Sequence, residues 1–156
     1  MKATPSRLAQ WRALSAAQRR TLLQAWLLLP VFWLGLHTLG LPRLQAKLAA
    51  KPLPQREPDR PPLPLADVQA LGEAVNKAAR HTPFHTTCLS RSLVLVWLLR
   101  RRGLASDLRI GVRLVDGALD AHAWVECEGV PVNDLADIAQ TFASFGDIVP
   151  LTAFNE

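Results

Sequence analysis

Cys88, His122 and Asp134 are the residues of this sequence whose types and order could support nucleophilic chemistry. A thiol attacks a carbonyl carbon as its thiolate, and a helix N-terminus together with a nearby histidine favours that form. The histidine then protonates the leaving amine, while a carboxylate fixes the tautomer of the imidazole. The three residues therefore predict the catalytic triad of a cysteine peptidase.

Cys88 opens the segment CLSRSLVLVWLLRRRG, which has the composition of a buried helix. Thr86 or Thr87 can cap the N-terminus of this helix. Arginines 100–102 complement the negative end of its dipole as a solvated helix end, and Gly103 fits a left-handed C-cap. We therefore predict that Cys88 lies in the first turn, where its backbone N–H is one candidate oxyanion donor. A second donor is not identifiable from the sequence.

His122 lies in the second of two stretches with strand-like patterning. Residues 108–114 alternate apolar and polar side chains up to a turn at residues 116–117, and residues 119–128 form the next strand. His122 shares a face of that strand with Trp124 and Glu126, because successive side chains of a strand point to opposite faces.

The turn after this strand decides whether His122 meets a carboxylate. If residues 127–129 form a three-residue loop, His122 stands directly opposite Asp134, with Cβ atoms about 4.5–5.5 Å apart. A two-residue turn would shift the register by one and weaken this pairing. Asp137 is the alternative carboxylate.

The chain divides into three predicted parts. Residues 1–51 form an apolar, basic helical region, with helices over 6–29, up to Leu41 and over 43–50, and with a break or kink at Pro30. Residues 52–64 contain six of the twelve prolines and predict an extended linker. Residues 65–156 start with helices, the first over 65–80, and continue with antiparallel strands, ending in a weak helix over 135–142 and an edge strand over 148–154. That order predicts an α+β domain.

Charge and cysteine content limit the compartment and the partners. The net charge is +5, and the first 60 residues carry ten Lys or Arg against two Asp or Glu. No nucleic-acid-binding motif accompanies this charge, so we expect no nucleic-acid partner. Two cysteines are too few for a disulfide framework, which favours the cytoplasm. Residues 22–41 approach the length of a membrane span; a packed helix is favoured, with an interfacial helix or a true span as alternatives.

Each candidate residue also has a plain structural interpretation. A lone cysteine in an apolar helix is usually a small buried side chain, and we assign that interpretation to Cys127. His81, His85 and Cys88 could join His122 or Cys127 around zinc, but the spacing matches no common closed site. We therefore predict no metal and no cofactor.

Several segments resemble a known family. CLSRSLVLVWLLRRRG, LRIGVRL, AHAWVECEGVPVND and DIAQTFASFGD are similar to bacterial transglutaminase-like proteins related to the microcin-processing leader peptidases of lasso-peptide biosynthesis. The resemblance covers roughly residues 64–147. It implies a papain-like, transglutaminase-like fold, in which the thiol helix packs on an antiparallel sheet and Cys88, His122 and Asp134 form the triad.

The resemblance also implies a reaction and partners. Family members remove the N-terminal leader of a ribosomally made precursor peptide, and an asparagine-synthetase-like ligase then uses the exposed amine. Leader recognition belongs to a winged-helix-like module, and no strand pattern precedes the linker here, so a separate leader-binding protein is expected. Two alternatives remain open: a membrane-associated scaffold, and an amide hydrolase or acyl transferase acting on another substrate.

Overall fold

The protein is described by a computed structural model that covers residues 11–52, 54 and 63–144. The elements with described bounds are α1 Ala16–Ala49, α2 Leu65–Ala79, α3 Cys88–Arg100, β1 Asp107–Val115, β2 Ala118–Cys127, β3 Val130–Pro131, α4 Ile138–Thr141 and β4 Ala143–Ser144. Helices come first and an antiparallel sheet follows, which confirms the predicted α+β class.

The sheet has the order β3-β2-β1-β4 with antiparallel neighbours. Asp116 and Gly117 form the predicted turn between β1 and β2, both with positive φ. Glu128 and Gly129 form a second two-residue turn, with φ of 52° and 77°, and Cys127 pairs with Val130. The predicted three-residue loop is therefore wrong, because a two-residue turn with positive φ at both positions matches the twist of the flanking strands.

Helix α1 begins at a capping box in which Ser15 Oγ accepts the N–H of Gln18 and the Gln18 side chain accepts the N–H of Ser15. Of the predicted break or kink at Pro30, the break is wrong, because the helix continues through Pro30. Pro30 is exposed, whereas the opposite side of the helix is held in the core by buried Ala25 and Leu29. The non-helical backbone lies instead at Gly40, with φ 74° and ψ 166°.

One hydrophobic core joins α1, α2, α3 and the inner face of the sheet. Helix α3 lies at its centre, and six of its apolar side chains are buried: Leu93, Val94, Leu95, Val96, Leu98 and Leu99. Leu22 and Phe32 bring α1 into this core. Helix α1 is also long and apolar enough to cross a membrane by length and composition.

Of the arginines at the end of α3, Arg101 is exposed as predicted, whereas Arg100 and Arg102 are partly buried. Arg100 donates to the carbonyl oxygens of Ala49 and Lys51 at 3.0 and 2.7 Å, so it satisfies the C-terminus of α1. Burial lowers the pKa of Arg102, and the nearby charges of Arg101 and Arg20 lower it further. Gly103 has a φ of 71° and ends the helix as predicted.

The end of the described chain differs from the predicted pattern. The helix expected over residues 135–142 is reduced to α4, and β4 then pairs with β1 through Gly111 and Val112. The predicted edge strand at 148–154 lies outside the described residues, as does most of the predicted linker. The domain boundary at that linker stays a prediction.

Candidate active site

Cys88 is the first residue of α3, where the sequence places it. Thr87 is the N-cap residue, and its Oγ1 accepts the N–H of Ser90 at 3.1 Å. The first N–H groups of an α-helix have no acceptor within the helix and carry partial positive charge. The partly buried thiol of Cys88 therefore sits where an anion and a developing oxyanion are both favoured.

His122 and Asp134 form a short hydrogen bond, with 2.6 Å between Nε2 and Oδ2. The other carboxylate oxygen of Asp134 accepts the backbone N–H of Leu135 at 2.9 Å. Because an ionised carboxylate only accepts hydrogen bonds, Nε2 carries the hydrogen and Nδ1 becomes the basic nitrogen of the ring. Asp134 thus orients the imidazole as a triad carboxylate does.

The three predicted residues line one cavity of about 200 Å³. The other lining residues are Asn76, Arg91, Ala123 and Asn133. The cavity lies between the start of α3, strand β2, helix α2 and the chain after β3. Asp137, the alternative carboxylate, is the N-cap residue of α4 and is not among the residues that line this cavity.

Asp134 meets His122 although the predicted register is wrong, because the chain bends away after β3. The N–H of Val132 still donates to the carbonyl oxygen of Val125 at 2.9 Å. In a regular ladder the N–H of Val125 would donate back to the carbonyl oxygen of Val132. Here it donates instead to the side-chain Oδ1 of Asn133 at 2.8 Å. The amide of Asn133 thus replaces a strand carbonyl, and the freed backbone turns Asp134 towards His122.

Asn133 also connects the bend to the two neighbouring helices. Its Nδ2 donates to Ser92 Oγ at 3.2 Å, and Ser92 Oγ donates to the carbonyl oxygen of Ala123 at 3.1 Å. Asn76 Nδ2 donates to the carbonyl oxygen of Asn133 at 2.8 Å. Asn76, Ser92 and Asn133 are not among the site residues predicted from the sequence. Ser92 gave a signal, because it lies four residues after Cys88 and therefore on the same helix face, directly before the apolar run 93–99.

Aromatic side chains cover the other side of His122. The Trp124 ring stacks on the imidazole with 6.4 Å between centroids, and the Phe142 ring lies 5.2 Å away. Glu126 holds Trp124 by accepting its indole N–H at 2.8 Å, and Arg109 pairs with Glu126 at 3.0 Å. His122, Trp124 and Glu126 share one face of β2, as the alternation predicted.

The histidines of the zinc alternative have other partners. His81 Nδ1 lies 2.8 Å from the carbonyl oxygen of Lys77, and His85 Nδ1 lies 3.4 Å from that of Thr86. Within residues 11–52, 54 and 63–144, no three His, Cys, Asp or Glu side chains come together as a metal site.

Cys127 differs from Cys88 in its surroundings. Its side chain lies in the core, and burial raises the pKa of the thiol to about 11, with a further contribution from the carboxylates of Asp107 and Glu128. The protonated thiol is a poor nucleophile. Cys127 is thus the small buried side chain that the sequence predicts, and it cannot replace Cys88.

Iodoacetamide at about pH 8 is expected to alkylate Cys88 in the folded protein and to leave Cys127 unmodified. With a pKa of about 11, only about one Cys127 thiol in a thousand is ionised at that pH. Peptide mapping by mass spectrometry measures both sites, and the same protein unfolded in guanidinium should be labelled at both. Equal labelling rates of the two cysteines in the folded protein would contradict this assignment.

Comparison with known proteins gives one match. The model of the transglutaminase-like superfamily matches residues 32–146, which is more than half of the chain and includes Cys88, His122 and Asp134. A search of curated proteins found no match, and neither did a search of solved structures. The superfamily generally contains enzymes with a Cys-His-Asp triad. The chain belongs to the transglutaminase-like superfamily.

Proposed function

We propose that the chain is a cysteine peptidase in which Cys88 is the nucleophile, His122 the acid and base, and Asp134 the orienting carboxylate. The observation that carries the proposal is the 2.6 Å bond between His122 Nε2 and Asp134 Oδ2 at the wall of the cavity that Cys88 also lines. If His122 and Cys88 served only to stabilise the fold, they would have no reason to line the same cavity.

The reaction follows from this arrangement. His122 Nδ1 takes the thiol proton, and the sulfur of Cys88 forms a bond to the carbonyl carbon of the peptide. The tetrahedral intermediate collapses as His122 gives its proton to the leaving amine, which leaves a thioester. Water, deprotonated by the same imidazole, attacks the thioester and releases the carboxylic acid and the free thiol.

The oxyanion of the tetrahedral intermediate needs donors beside the reacting carbon. The backbone N–H of Cys88 is the first donor that we propose. Asn76 is the second, because its amide lines the same cavity and is held by its bond to the carbonyl oxygen of Asn133. A primary amide nitrogen has two hydrogens, so one is left for the substrate.

The proposed substrate is a ribosomally made precursor peptide whose N-terminal leader is removed during lasso-peptide maturation. The segments around Cys88 and His122 that resemble leader peptidases support this choice. The corresponding partners are a separate leader-binding protein and an asparagine-synthetase-like ligase, in the cytoplasm. The exposed apolar side of α1, which includes Leu23, Leu27 and Val31, supports an additional peripheral contact with a membrane.

Acyl transfer is the second candidate, since the same thioester can react with an amine instead of water. Mass spectrometry of a precursor peptide, incubated with the protein, its leader-binding partner and an excess of methylamine, separates the two. Hydrolysis gives a new carboxylic acid at the cleavage site, whereas transfer gives a methylamide. Cys88→Ala should give neither product, and equal cleavage by wild type and Cys88→Ala would refute the proposed function.

A further inference from the structure

A groove of adjoining depressions leads from the candidate active site across α2 to the start of α1. The catalytic cavity shares Asn76, Asn133 and Asp134 with a neighbouring depression of about 390 Å³. That depression shares Glu73 and Asn76 with a third one, of about 430 Å³, which extends between α2 and the first turns of α1. The depressions therefore adjoin one another, since each shares wall residues with the next.

The groove ends at an apolar cavity of about 450 Å³ between α1 and α2. Its walls are mainly apolar side chains: Trp11, Leu14, Leu22, Leu23, Trp26 and Ala78. Trp26 is held in place by its indole N–H, which donates to the carbonyl oxygen of His81 at 3.3 Å. Trp11, Leu23 and Trp26 are each more than a third exposed, so apolar surface is open to solvent here. Concave apolar sites of this size are typical of ligand-binding sites.

We propose that this groove binds the peptide substrate, and that a large apolar side chain of the peptide, remote from the bond that is cut, fills the apolar cavity. The inference rests on the proposed peptidase function for the class of substrate. It is carried by the shared walls, which link the apolar cavity to the cavity that Cys88 and His122 line.

The charges along the groove add a second feature of the peptide. Lys77 borders the apolar cavity, and Arg80 lies beside it in the groove, with Glu73 as the acidic wall residue. Two cationic side chains against one carboxylate favour a peptide in which the apolar anchor residue stands next to an acidic residue. A bilayer would need a convex or flat surface, which the exposed Leu27, Val31 and Leu34 on α1 provide outside the cavity.

Helix geometry limits where the anchor residue stands in the peptide. The groove passes over α2, and a helix with its side chains is about 10 Å wide. An extended peptide advances about 3.3 Å per residue. The anchor and the scissile bond are therefore separated by at least about three residues, so a short peptide cannot occupy both sites.

Binding to Cys88→Ala tests the apolar cavity without any chemistry. The probe is a fluorescein-labelled decapeptide of Glu, Ser and Gly with one Phe next to a Glu. The comparison peptide has Ala in place of that Phe. Fluorescence polarisation is expected to show at least tenfold tighter binding of the Phe peptide, since burial of the ring removes apolar surface from water. Leu23→Glu, added to Cys88→Ala, is expected to remove this preference, because burial of the ring would then strip water from the carboxylate in the wall.

Leu27→Glu is the matched control, because Leu27 lies one turn further along α1, is also exposed, and does not line the cavity. Its Phe preference should equal that of the parent. Equal affinity of the Phe and Ala peptides for Cys88→Ala overturns the proposal. An equal loss of the Phe preference in Leu27→Glu and Leu23→Glu also overturns it, because binding would then belong to the exposed apolar side of α1 in general.

Cleavage assays with the catalytically intact protein separate failure of the subsite from failure of the proposed function. Leu23-dependent binding of the Phe peptide without cleavage of any peptide would support the subsite and refute the peptidase. Conversely, equal kcat/KM values for cleaved peptides with Phe and with Ala at the anchor position would overturn the subsite and leave the peptidase standing.

Discussion

Replacing Asp134 with asparagine is expected to lower kcat by about 10³- to 10⁴-fold while the fold stays intact, which is the magnitude seen when a triad carboxylate loses its charge. Both carboxylate oxygens of Asp134 accept hydrogen bonds, one from His122 Nε2 and one from the N–H of Leu135. An amide has a single oxygen, so asparagine can accept only one of these bonds. If the NH₂ group faces His122, the imidazole must carry its hydrogen on Nδ1, the nitrogen that should take the thiol proton.

The measurement is kcat on a peptide that wild type cleaves, with circular dichroism to show that the fold is retained. Asp137→Asn is the matched control, since Asp137 precedes α4 and is not a wall residue of the catalytic cavity. We expect this control to stay within about twofold of wild type, as for exposed sites away from the chemistry. Near-normal turnover by Asp134→Asn would remove Asp134 from the proposed mechanism.

The start of α3 could be predicted because every signal there is local. Thr87 has a side chain that caps helices, the apolar run begins directly after it, and Gly103 ends the helix with a positive φ. The structure agrees at each of these positions. A helix cap depends on neighbours in the chain, so the sequence alone was sufficient to place Cys88.

The contact between His122 and Asp134 was predicted by an incorrect route. The predicted contact depends on a three-residue loop, whereas Glu128 and Gly129 form a two-residue turn. Continued pairing in that register would place Asp134 opposite Ala123 and on the other face. Asn133 prevents this by inserting its side chain into the ladder at Val125, a substitution that depends on Ser92 and Asn76 from two helices. Such a tertiary contact has no signature in strand alternation.

Pro30 does not break α1, because packing overrides the local effect of the proline. A proline removes one helical hydrogen bond and strains the preceding turn. Ala25, Leu29 and Phe32 nevertheless hold α1 in the core on both sides of Pro30. Likewise, the role of Arg100 could not be predicted, because the carbonyl oxygens of Ala49 and Lys51 are distant in sequence.

Gly72 allows the bend that places Asp134, because α2 approaches the chain after β3 without a side chain at that position. A Cβ on Gly72 would overlap the carbonyl oxygen of Val132 and lie 2.8 Å from its carbonyl carbon and 3.0 Å from Asn133 Cα. All three are backbone atoms, so no side chain can rotate away to relieve the overlap. Gly72→Ala must therefore separate α2 from the segment that contains Asn133 and Asp134.

Gly72→Ala is expected to lower the free energy of unfolding by about 3 kcal/mol or more, because overpacking against fixed backbone is among the most destabilising changes. It should also lower kcat, since the same separation moves Asp134 away from His122. Gly35→Ala is the control: its Cβ would meet only the flexible end of Leu44, at 3.3 Å. There the gain in helix propensity, about 0.5–1 kcal/mol, should roughly offset the tight contact. Denaturant unfolding measures both variants, and equal stabilities would show that the approach at Gly72 does not hold the bend.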